Sequence, residues 1–350
     1  MQPSKEKRIS RRQVSDSNAK EFVALYNRRD LILYALAVSF GSDAEKRELK
    51  YLYEDHEKFV AVPTFCLALT FWANHNKDSG NSYELPLFPP LTVQASGSIP
   101  KEQLRASGET DDHSKYPVLH MWQSIAWHIH HLPTPGKNCP VSTRLKCRTL
   151  SVLPKSIGTF VTSETRIDQE STNRPLCTLQ STMLILGMPK ENVIPMNQAA
   201  AVKGSNDFDK IVLDNTPDFE WTYTTTPTQA LFYRLASGDS NALHVLGDKT
   251  MSASLGLNEK APILHGLCTF GITVRAILKY VNDDTASLSR LEGRFTAPVF
   301  IEDTLRVKLW ESIRRKNDRI FDFVVINETT GEKVIDIGCA TICDTSWSRL

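Results

Sequence analysis

A carboxylate and an imidazole lie five positions apart in a segment rich in turn-forming residues. Residues 233–244 read Tyr-Arg-Leu-Ala-Ser-Gly-Asp-Ser-Asn-Ala-Leu-His, and the two groups are Asp239 and His244. A regular helix would place them on different faces, whereas a turn over residues 238–241 could direct both into one pocket. An ionised aspartate raises the basicity of a nearby imidazole, so the pair could hold a water molecule and transfer its proton.

A second segment could stabilise a developing negative charge. Residues 262–269 read Pro-Ile-Leu-His-Gly-Leu-Cys-Thr, which predicts an apolar helix opened by a proline. Gly266 would lie in its first turn, where the backbone N–H favours an anion and a glycine lets a ligand approach closely. Together the two segments predict the addition of water across a double bond next to a carbonyl, or its removal.

Each of these features also has a structural interpretation. Gly-Asp-Ser-Asn is a common turn sequence, and Asp239 could simply cap a helix. His265 could touch a ligand or only pack at the start of a helix. A metal site at His128, His130 and His131 is less favoured than strand packing, because no cysteine or acidic ligand has a useful spacing. Neither a Gly-x-Ser-x-Gly motif nor a nucleotide-binding glycine motif is present.

Length, charge and cysteine use limit the class of protein. The chain has 350 residues and a net charge of +1. The length suggests two domains, and the charge gives no global field to attract nucleic acid or an anionic membrane, so we expect neither as a partner. No apolar run is long enough to span a bilayer. The 7 cysteines lack CxxC spacing, and we expect reduced core residues of an intracellular protein.

Two apolar helices and several strands are predicted to position the reactive residues. Two apolar segments with a proline at their start predict buried helices. The first is residues 63–73, which begin with a proline, and the second is residues 263–280, which follow one. Alternating and β-branched residues predict strands within 118–187 and over 305–309, and a hairpin of residues 321–326 and 334–342. Each half would then carry one buried helix followed by antiparallel strands. This is an α+β plan in which a curved sheet wraps a central helix, present twice.

The two reactive segments resemble motifs of one enzyme family. Residues 233–244 are similar to the hydratase 2 motif Tyr-Arg-Leu-Ser-Gly-Asp-x-Asn-Pro-Leu-His of the MaoC-like (R)-specific enoyl-CoA hydratases, and residues 262–271 to their Pro-Ile-Leu-His-Gly-Leu-Cys-Thr-Phe-Gly run. Similarity to the hydratase domain of peroxisomal multifunctional enzyme type 2 extends over about residues 21–345, through segments 30–36, 51–54, 62–65, 118–120, 145–147 and 294–299. The resemblance implies a double hot-dog fold, with two antiparallel sheets each wrapped around a central helix.

The resemblance also implies roles for single residues. Asp239 and His244 would be the catalytic pair that activates water, with Glu54 in support. Gly266 would donate its N–H to the thioester oxygen. Further positions that would contact the acyl-CoA or shape the turn are His120, Met121, Lys155, Asn241 and Phe295. Met121 stands where the family has a glycine, so its side chain is expected to crowd the ligand, and Ala242 replaces the motif proline.

The expected reaction is (3R)-specific hydration of trans-2-enoyl-CoA to (3R)-3-hydroxyacyl-CoA, or the reverse dehydration, in peroxisomal fatty-acyl metabolism. No metal or redox cofactor is expected, and CoA is part of the substrate. The changed surroundings of the pair motivate one alternative, a dehydratase for an unusual or polyketide-like acyl thioester in a specialised pathway. A second alternative is a non-catalytic acyl-CoA-binding protein on the same fold.

Five parts of the chain are expected: a disordered basic tail over 1–20, an N-terminal hot-dog domain over 21–190, a linker over 191–210, a C-terminal catalytic hot-dog domain over 211–347, and a targeting tripeptide at 348–350. The tripeptide Ser348-Arg349-Leu350 is similar to the Ser-Lys-Leu peroxisomal signal. We therefore expect a peroxisomal protein recognised by the peroxisomal import receptor. Two hot-dog halves can pack within one chain, which leaves both a monomer and a homodimer open.

Overall fold

One continuous antiparallel sheet organises the described part of the chain. The computed structural model describes residues 19–42, 46–72, 99–100, 103–104, 116, 118–197, 216–239, 241–245, 262–283, 286–315 and 318–343. The strands are β1 Lys20–Tyr26, β2 Val118–Trp127, β3 Val141–Lys155, β4 Gly158–Gln169, β5 Arg174–Leu186, β6 Met196–Asn197, β7 Phe219–Thr224, β8 Ser287–Phe295, β9 Thr304–Arg315, β10 Asp318–Asn327 and β11 Lys333–Cys343. The α-helices are α1 Arg28–Ala37, α2 Leu49–Leu52, α3 Leu69–Trp72, α4 Gln229–Ser237 and α5 Gly266–Val281.

The sheet consists of two halves joined edge to edge. Its strand order is β1-β3-β4-β5-β2-β8-β11-β10-β9-β7, with β6 beside β3, so the first five strands come from the N-terminal half of the chain and the last five from the C-terminal half. The join is the antiparallel pairing of β2 with β8, from Trp122 opposite Arg294 to Ala126 opposite Arg290. The expected double hot-dog plan is confirmed, and its two sheets form one 11-stranded sheet.

Helix α5 is the central helix of the C-terminal half. It is buried along almost its whole length, including Phe270, Ile272 and Val274, which are fully buried. Gly271 lies against Val38 of the N-terminal half, where an added Cβ would come within 2.4 Å of Val38 Cγ1. The helix therefore packs against both halves. The prediction of a buried helix over 263–280 is confirmed apart from its first turn.

The segment predicted as a buried helix, residues 63–73, is buried and helical over most of its described part, but it forms two short pieces. A 3₁₀ helix over Pro63–Leu67 is followed by the single α-helical turn of α3. Phe65 packs edge-on against Tyr26, Tyr34 and Trp72, with ring centroids 5.2–5.5 Å apart. Residues 64–69 are all buried, as the apolar composition of the segment predicts.

The predicted domain boundaries fall partly outside the described residues. Strand β1 begins inside the predicted tail over residues 1–20, and residues 1–18 lie outside the described part. In the predicted linker, Met196 and Asn197 pair with Val152 and Ser151 of β3, so the linker's first residues belong to the N-terminal sheet. Its remainder and the tripeptide at 348–350 are not described. Among the described residues, no helix combines the length and apolar character needed to cross a membrane.

A buried ion pair ties α5 to the N-terminal half. Arg275 is fully buried and binds the Glu48 carboxylate with two hydrogen bonds, from Nε to Oε1 at 2.5 Å and from Nη2 to Oε2 at 3.1 Å. Its Nη1 also donates to Ser42 Oγ at 2.6 Å, and the Gly41 N–H donates to Glu48 Oε2. Burial removes both charges from water. Loss of either side chain would therefore leave the other as a buried charge without a countercharge.

We expect Glu48→Gln to lower the free energy of unfolding by about 3–5 kcal/mol, because the Arg275 guanidinium would stay buried without a countercharge. The matched control is Glu220→Gln, which removes a partly exposed partner of Arg306 and should cost at most about 1 kcal/mol. Urea unfolding of both variants measures the difference. Equal losses would contradict a special role for the buried pair.

Candidate active site

A cavity of about 330 Å³ opens between the start of α5, the loop after α4 and the inner face of β2, β4 and β5. The predicted residues that line it are His120, Met121, Asp239, Asn241, His244, Gly266 and Phe295. The two segments singled out for their chemistry therefore meet at one site, although they lie on different elements. The N-terminal half supplies much of the opposite wall.

A glycine turn after α4 carries Asp239 into this cavity. Gly238 ends the helix in the left-handed conformation, with φ of 76°, and its N–H donates to Arg234 O at 2.9 Å. A Cβ at Gly238 would also come within 2.9 Å of the Trp72 ring. The position therefore favours glycine both for its backbone angle and for its contact with the N-terminal half.

Two side-chain turns then bring His244 back beside Asp239. Asp239 Oδ1 accepts the N–H of Asn241 at 3.1 Å, and Asn241 Oδ1 accepts the N–H of Leu243 at 3.1 Å. A 3₁₀ turn over Ala242–His244 follows. Local hydrogen bonds of aspartate and asparagine thus bend the chain between the two reactive groups, as the turn-rich sequence predicts.

The tautomer of neutral His244 follows from its hydrogen bond. Nδ1 lies 2.7 Å from Ile263 O, and because a carbonyl oxygen only accepts, Nδ1 carries the proton. Nε2 of the neutral ring is then left with a lone pair that can accept a proton. Oxygen or nitrogen atoms of Asp239, His244 and His265 all lie within 4.8 Å of one another. The structure therefore brings the predicted acid–imidazole pair together and adds a second imidazole.

His265 both lines the cavity and packs at the start of α5, so the two interpretations left open by the sequence apply together. Its ring stacks on His244, with centroids 3.9 Å apart, and lies 4.9 Å from the Tyr233 ring on α4. It is 2% exposed, and among the described residues neither ring nitrogen has a partner with full hydrogen-bond geometry. Burial, together with the nearby His244, lowers the pKa of His265 well below its usual range, so the ring is neutral at physiological pH.

The N-terminus of α5 faces the same cavity. Gly266 is the first residue of the helix, and the preceding His265 makes no side-chain capping bond. N–H groups of a first helical turn lack partners within the helix and carry a partial positive charge. A Cβ at Gly266 would reach 3.4 Å from the Phe295 ring, so a side chain there would fill space beside the N–H. The geometry suits an anionic oxygen at this point.

His120 and Met121 reach the cavity from β2. The ladder between β2 and β5 is irregular between His120 and Trp122, which leaves Met121 at a bulge. Such irregularities redirect side chains next to sites. His120 packs edge-on against Phe295, with centroids 5.1 Å apart, and its Nε2 lies 3.2 Å from Trp122 O. Desolvation lowers the pKa of His120 to about 4, so it is also neutral at physiological pH.

The structure does not bring Glu54 or Lys155 to the cavity. Glu54 is exposed in the turn after α2, where its carbonyl accepts a hydrogen bond from Arg28 Nη1 at 3.1 Å. Lys155 is exposed at the end of β3, opposite Gly158. Neither side chain lines the site. A similar position along the chain does not fix the direction of a side chain, and both residues lie where an element ends at solvent.

Part of the cavity wall was not predicted. Apolar and polar side chains of the N-terminal half face the site, namely Leu67, Phe71, Gln123, Thr165, Leu179, Ser181 and Met183. Strand patterning indicated that such residues are buried but could not tell a cavity wall from a packed core. The sequence position of His265 did indicate that it could belong to the site, because it lies between the predicted helix start and Gly266.

The remaining predictions concern the histidines of residues 128–131 and the cysteines. His128 Nε2 lies 2.9 Å from Thr178 Oγ1, and His130 Nδ1 lies 2.8 Å from Ser287 Oγ. Within the described ranges, these histidines do not belong to a group of side chains that could hold a metal ion. The group that could do so consists of Asp239, His244 and His265. All cysteines are free, and those expected in the core are buried: Cys66, Cys177, Cys268, Cys339 and Cys343.

Comparisons with known proteins agree with the geometry. Residues 209–333 match the MaoC like domain, and residues 25–93 match the MFE-2 hydratase 2 N-terminal domain. The chain is 30% identical over 319 residues to peroxisomal multifunctional enzyme type 2 of Drosophila melanogaster, covering 89% of this chain and 44% of that protein. It is 29% identical over 299 residues to peroxisomal enoyl-CoA hydratase 2 of Arabidopsis thaliana, covering 81% and 82%.

Solved structures show the same fold. The MaoC-like dehydratase from Phytophthora capsici superposes with a TM-score of 0.67 at 26% identity, over 95% of this chain and 98% of that one. Full-length multifunctional enzyme type 2 from Drosophila melanogaster gives a TM-score of 0.64 at 28% identity, over 93% of this chain and 48% of that one. The chain thus spans less than half the length of the multifunctional relative. With a MaoC-like domain, a hydratase 2 N-terminal domain and the double hot-dog fold, it belongs to the MaoC-like hydratase 2 family.

Proposed function

We propose that this chain is a hydro-lyase that adds water to a trans-2-enoyl-CoA to give a (3R)-3-hydroxyacyl-CoA, or runs the reverse dehydration. The observation that carries the proposal is the convergence of Asp239 and His244 in a cavity at the N-terminus of α5. Relatives named enoyl-CoA hydratase 2 support the substrate class, and the (3R) outcome rests on the resemblance to the (R)-specific family.

The proposed reaction uses one water molecule held between Asp239 and His244. As the water oxygen bonds to C3 of the substrate, Nε2 of His244 takes one of its protons and the double-bond electrons move toward the thioester oxygen. The Gly266 N–H stabilises that oxygen while it carries charge. His244 then returns the proton to C2, so that one hydroxyl and one hydrogen have been added.

The cavity walls suggest how the acyl group is held. Apolar side chains of Leu67, Phe71 and Leu179, from the N-terminal half, form part of the cavity wall. Such a surface gains free energy by covering an acyl chain. We assign contact with the thioester end to the other lining residues: His120, Met121, Asn241 and Phe295. Glu54 and Lys155 receive no such role because they lie outside the cavity.

Asp239→Asn and His244→Gln should each lower kcat by about 10²–10⁴-fold, because each removes a proton-handling group without a large change in size. Loss of absorbance at the enoyl-thioester band measures the rate, on straight-chain and branched enoyl-CoAs. Asp336→Asn and His128→Gln are matched controls, since both residues lie outside the cavity.

Full activity in either catalytic variant would refute the assigned pair. Chiral analysis of the product tests the stereochemistry separately, and a (3S) product would refute the (3R) assignment while leaving hydration intact. Fast turnover of straight-chain substrates would argue against an enzyme specialised for unusual acyl groups.

We propose further that the reaction needs no resident metal ion. Two imidazoles and a carboxylate form a zinc donor set, so Asp239, His244 and His265 have a suitable composition. The two rings, however, are stacked, with centroids 3.9 Å apart and planes 28° apart. A zinc site needs one lone pair of each ring to point at a single ion from about 2.0–2.1 Å, and two stacked rings are poorly arranged for this. A water molecule tolerates longer and bent contacts.

Dialysis against EDTA should therefore leave kcat within about twofold of its starting value, since no step draws on a metal ion. Hydratase assays before and after dialysis, with total zinc measured by atomic absorption, give the comparison. Activity that disappears on dialysis and returns with added zinc would overturn the metal-free assignment.

We propose a peroxisomal location, supported by the names of the Drosophila, Arabidopsis and mouse relatives. The protein with a fluorescent domain at its N-terminus should co-localise with a peroxisomal marker. Deletion of Ser348, Arg349 and Leu350 should make it diffuse if the import receptor reads this tripeptide. Diffuse fluorescence of the intact fusion would contradict the proposal.

A further inference from the structure

His265 is a buried polar residue that the mechanism above does not use. It lines the cavity and is 2% exposed, and in the part of the chain that the structure describes neither of its ring nitrogens has a partner with full hydrogen-bond geometry. Leaving a buried polar group unpaired is energetically costly, and such groups are normally paired with protein or with an ordered water or ligand. The orphaned nitrogens therefore indicate that a polar molecule at the site completes their hydrogen bonding.

The size of the three-residue cluster matches a single water molecule. A carboxylate oxygen of Asp239 and ring nitrogens of His244 and His265 lie within 4.8 Å of one another. Because no two of the three atoms are more than 4.8 Å apart, a point within about 2.8 Å of all three exists, and 2.8 Å is the length of an ordinary hydrogen bond. One water oxygen can thus contact all three groups at once.

The donors and acceptors at this point are complementary. A water molecule donates two hydrogen bonds and accepts two. Ionised Asp239 only accepts, and Nε2 of His244 accepts because Nδ1–H is committed to Ile263 O. Both water hydrogens are then used, and its oxygen needs a donor. Neutral His265 carries one N–H and can supply it.

We propose that His265 is a further catalytic residue, which donates its ring N–H to the oxygen of the attacking water. With both hydrogens directed to Asp239 and His244 and one lone pair held by His265, the remaining lone pair is fixed toward C3. This inference rests on the proposed hydratase function. In the dehydration direction, the C3–O bond breaks and His244 gives the C2 proton to the departing hydroxyl. The same N–H of His265 stabilises that oxygen as it leaves.

Substitutions at His265 separate hydrogen bonding from packing. His265→Phe keeps an aromatic ring to stack between His244 and Tyr233 but has no N–H. His265→Gln keeps an N–H donor but has no ring. We expect His265→Phe to lower kcat about 100-fold with KM within about threefold, as for loss of one positioned donor. His265→Gln should keep kcat within about tenfold of the original enzyme.

Tyr233→Phe is the matched control. The Tyr233 side chain is also buried, and its ring packs on His265, yet Tyr233 does not line the cavity. Its kcat should stay within about twofold, because the water site is untouched. Thermal unfolding and the affinity for a saturated acyl-CoA report the integrity of each variant. If His265→Phe does not fold, His265→Leu replaces it in the comparison with His265→Gln.

Unchanged kcat in His265→Phe, or in His265→Leu, would overturn the role of His265 while leaving the hydratase assignment in place. A larger loss in His265→Gln than in the variant without an N–H would also overturn it, because packing would then be the essential property. If the unsubstituted protein hydrates no enoyl-CoA, the proposed function itself fails, and the two failures are thereby distinguished.

Discussion

The burial of α5 between the two halves is the constraint on which the site depends. A helix enclosed on all sides satisfies its own backbone except at its ends, so its first-turn N–H groups must face a ligand, water or a cap. Here the N-cap residue, His265, makes no side-chain capping bond, and that end of the helix opens on the cavity. The Arg275–Glu48 pair and the contact of Gly271 with Val38 hold the helix in place, and they thereby fix the position of Gly266.

The two halves of the chain make different contributions to this site. The C-terminal half supplies Asp239, His244 and the helix N-terminus, whereas the N-terminal half supplies walls and support. Trp72 illustrates the support, because it packs against Gly238 at the turn that directs Asp239 inward. A change in the N-terminal half can therefore alter the catalytic loop without touching a reactive group. The joined sheet, through β2 and β8, places His120 beside Phe295 in the same way.

Much of the fold could be predicted because its signals are local. Proline at a helix start, alternation along β9 and turn residues between β10 and β11 each act within a few residues. The buried segment over 63–73 could be predicted from its apolar composition, but composition does not decide whether the backbone forms one helix or two short ones. Glu54 and Lys155 lie outside the cavity, since similarity gives a place along the chain and not a side-chain direction. The proposed role of His265 depends on distances between side chains in the folded protein, and the spacing of residues along the sequence does not give these distances.

The sequence by itself determined the reactive groups and the turn between them, since Asp239 and Asn241 make hydrogen bonds to backbone only two residues away. Only the tertiary structure decided what these groups face. The stacking of His265 on His244 and the cavity wall from the N-terminal half join residues far apart in the chain. Such contacts depend on how whole elements pack, because side chains from several elements must fill one common space.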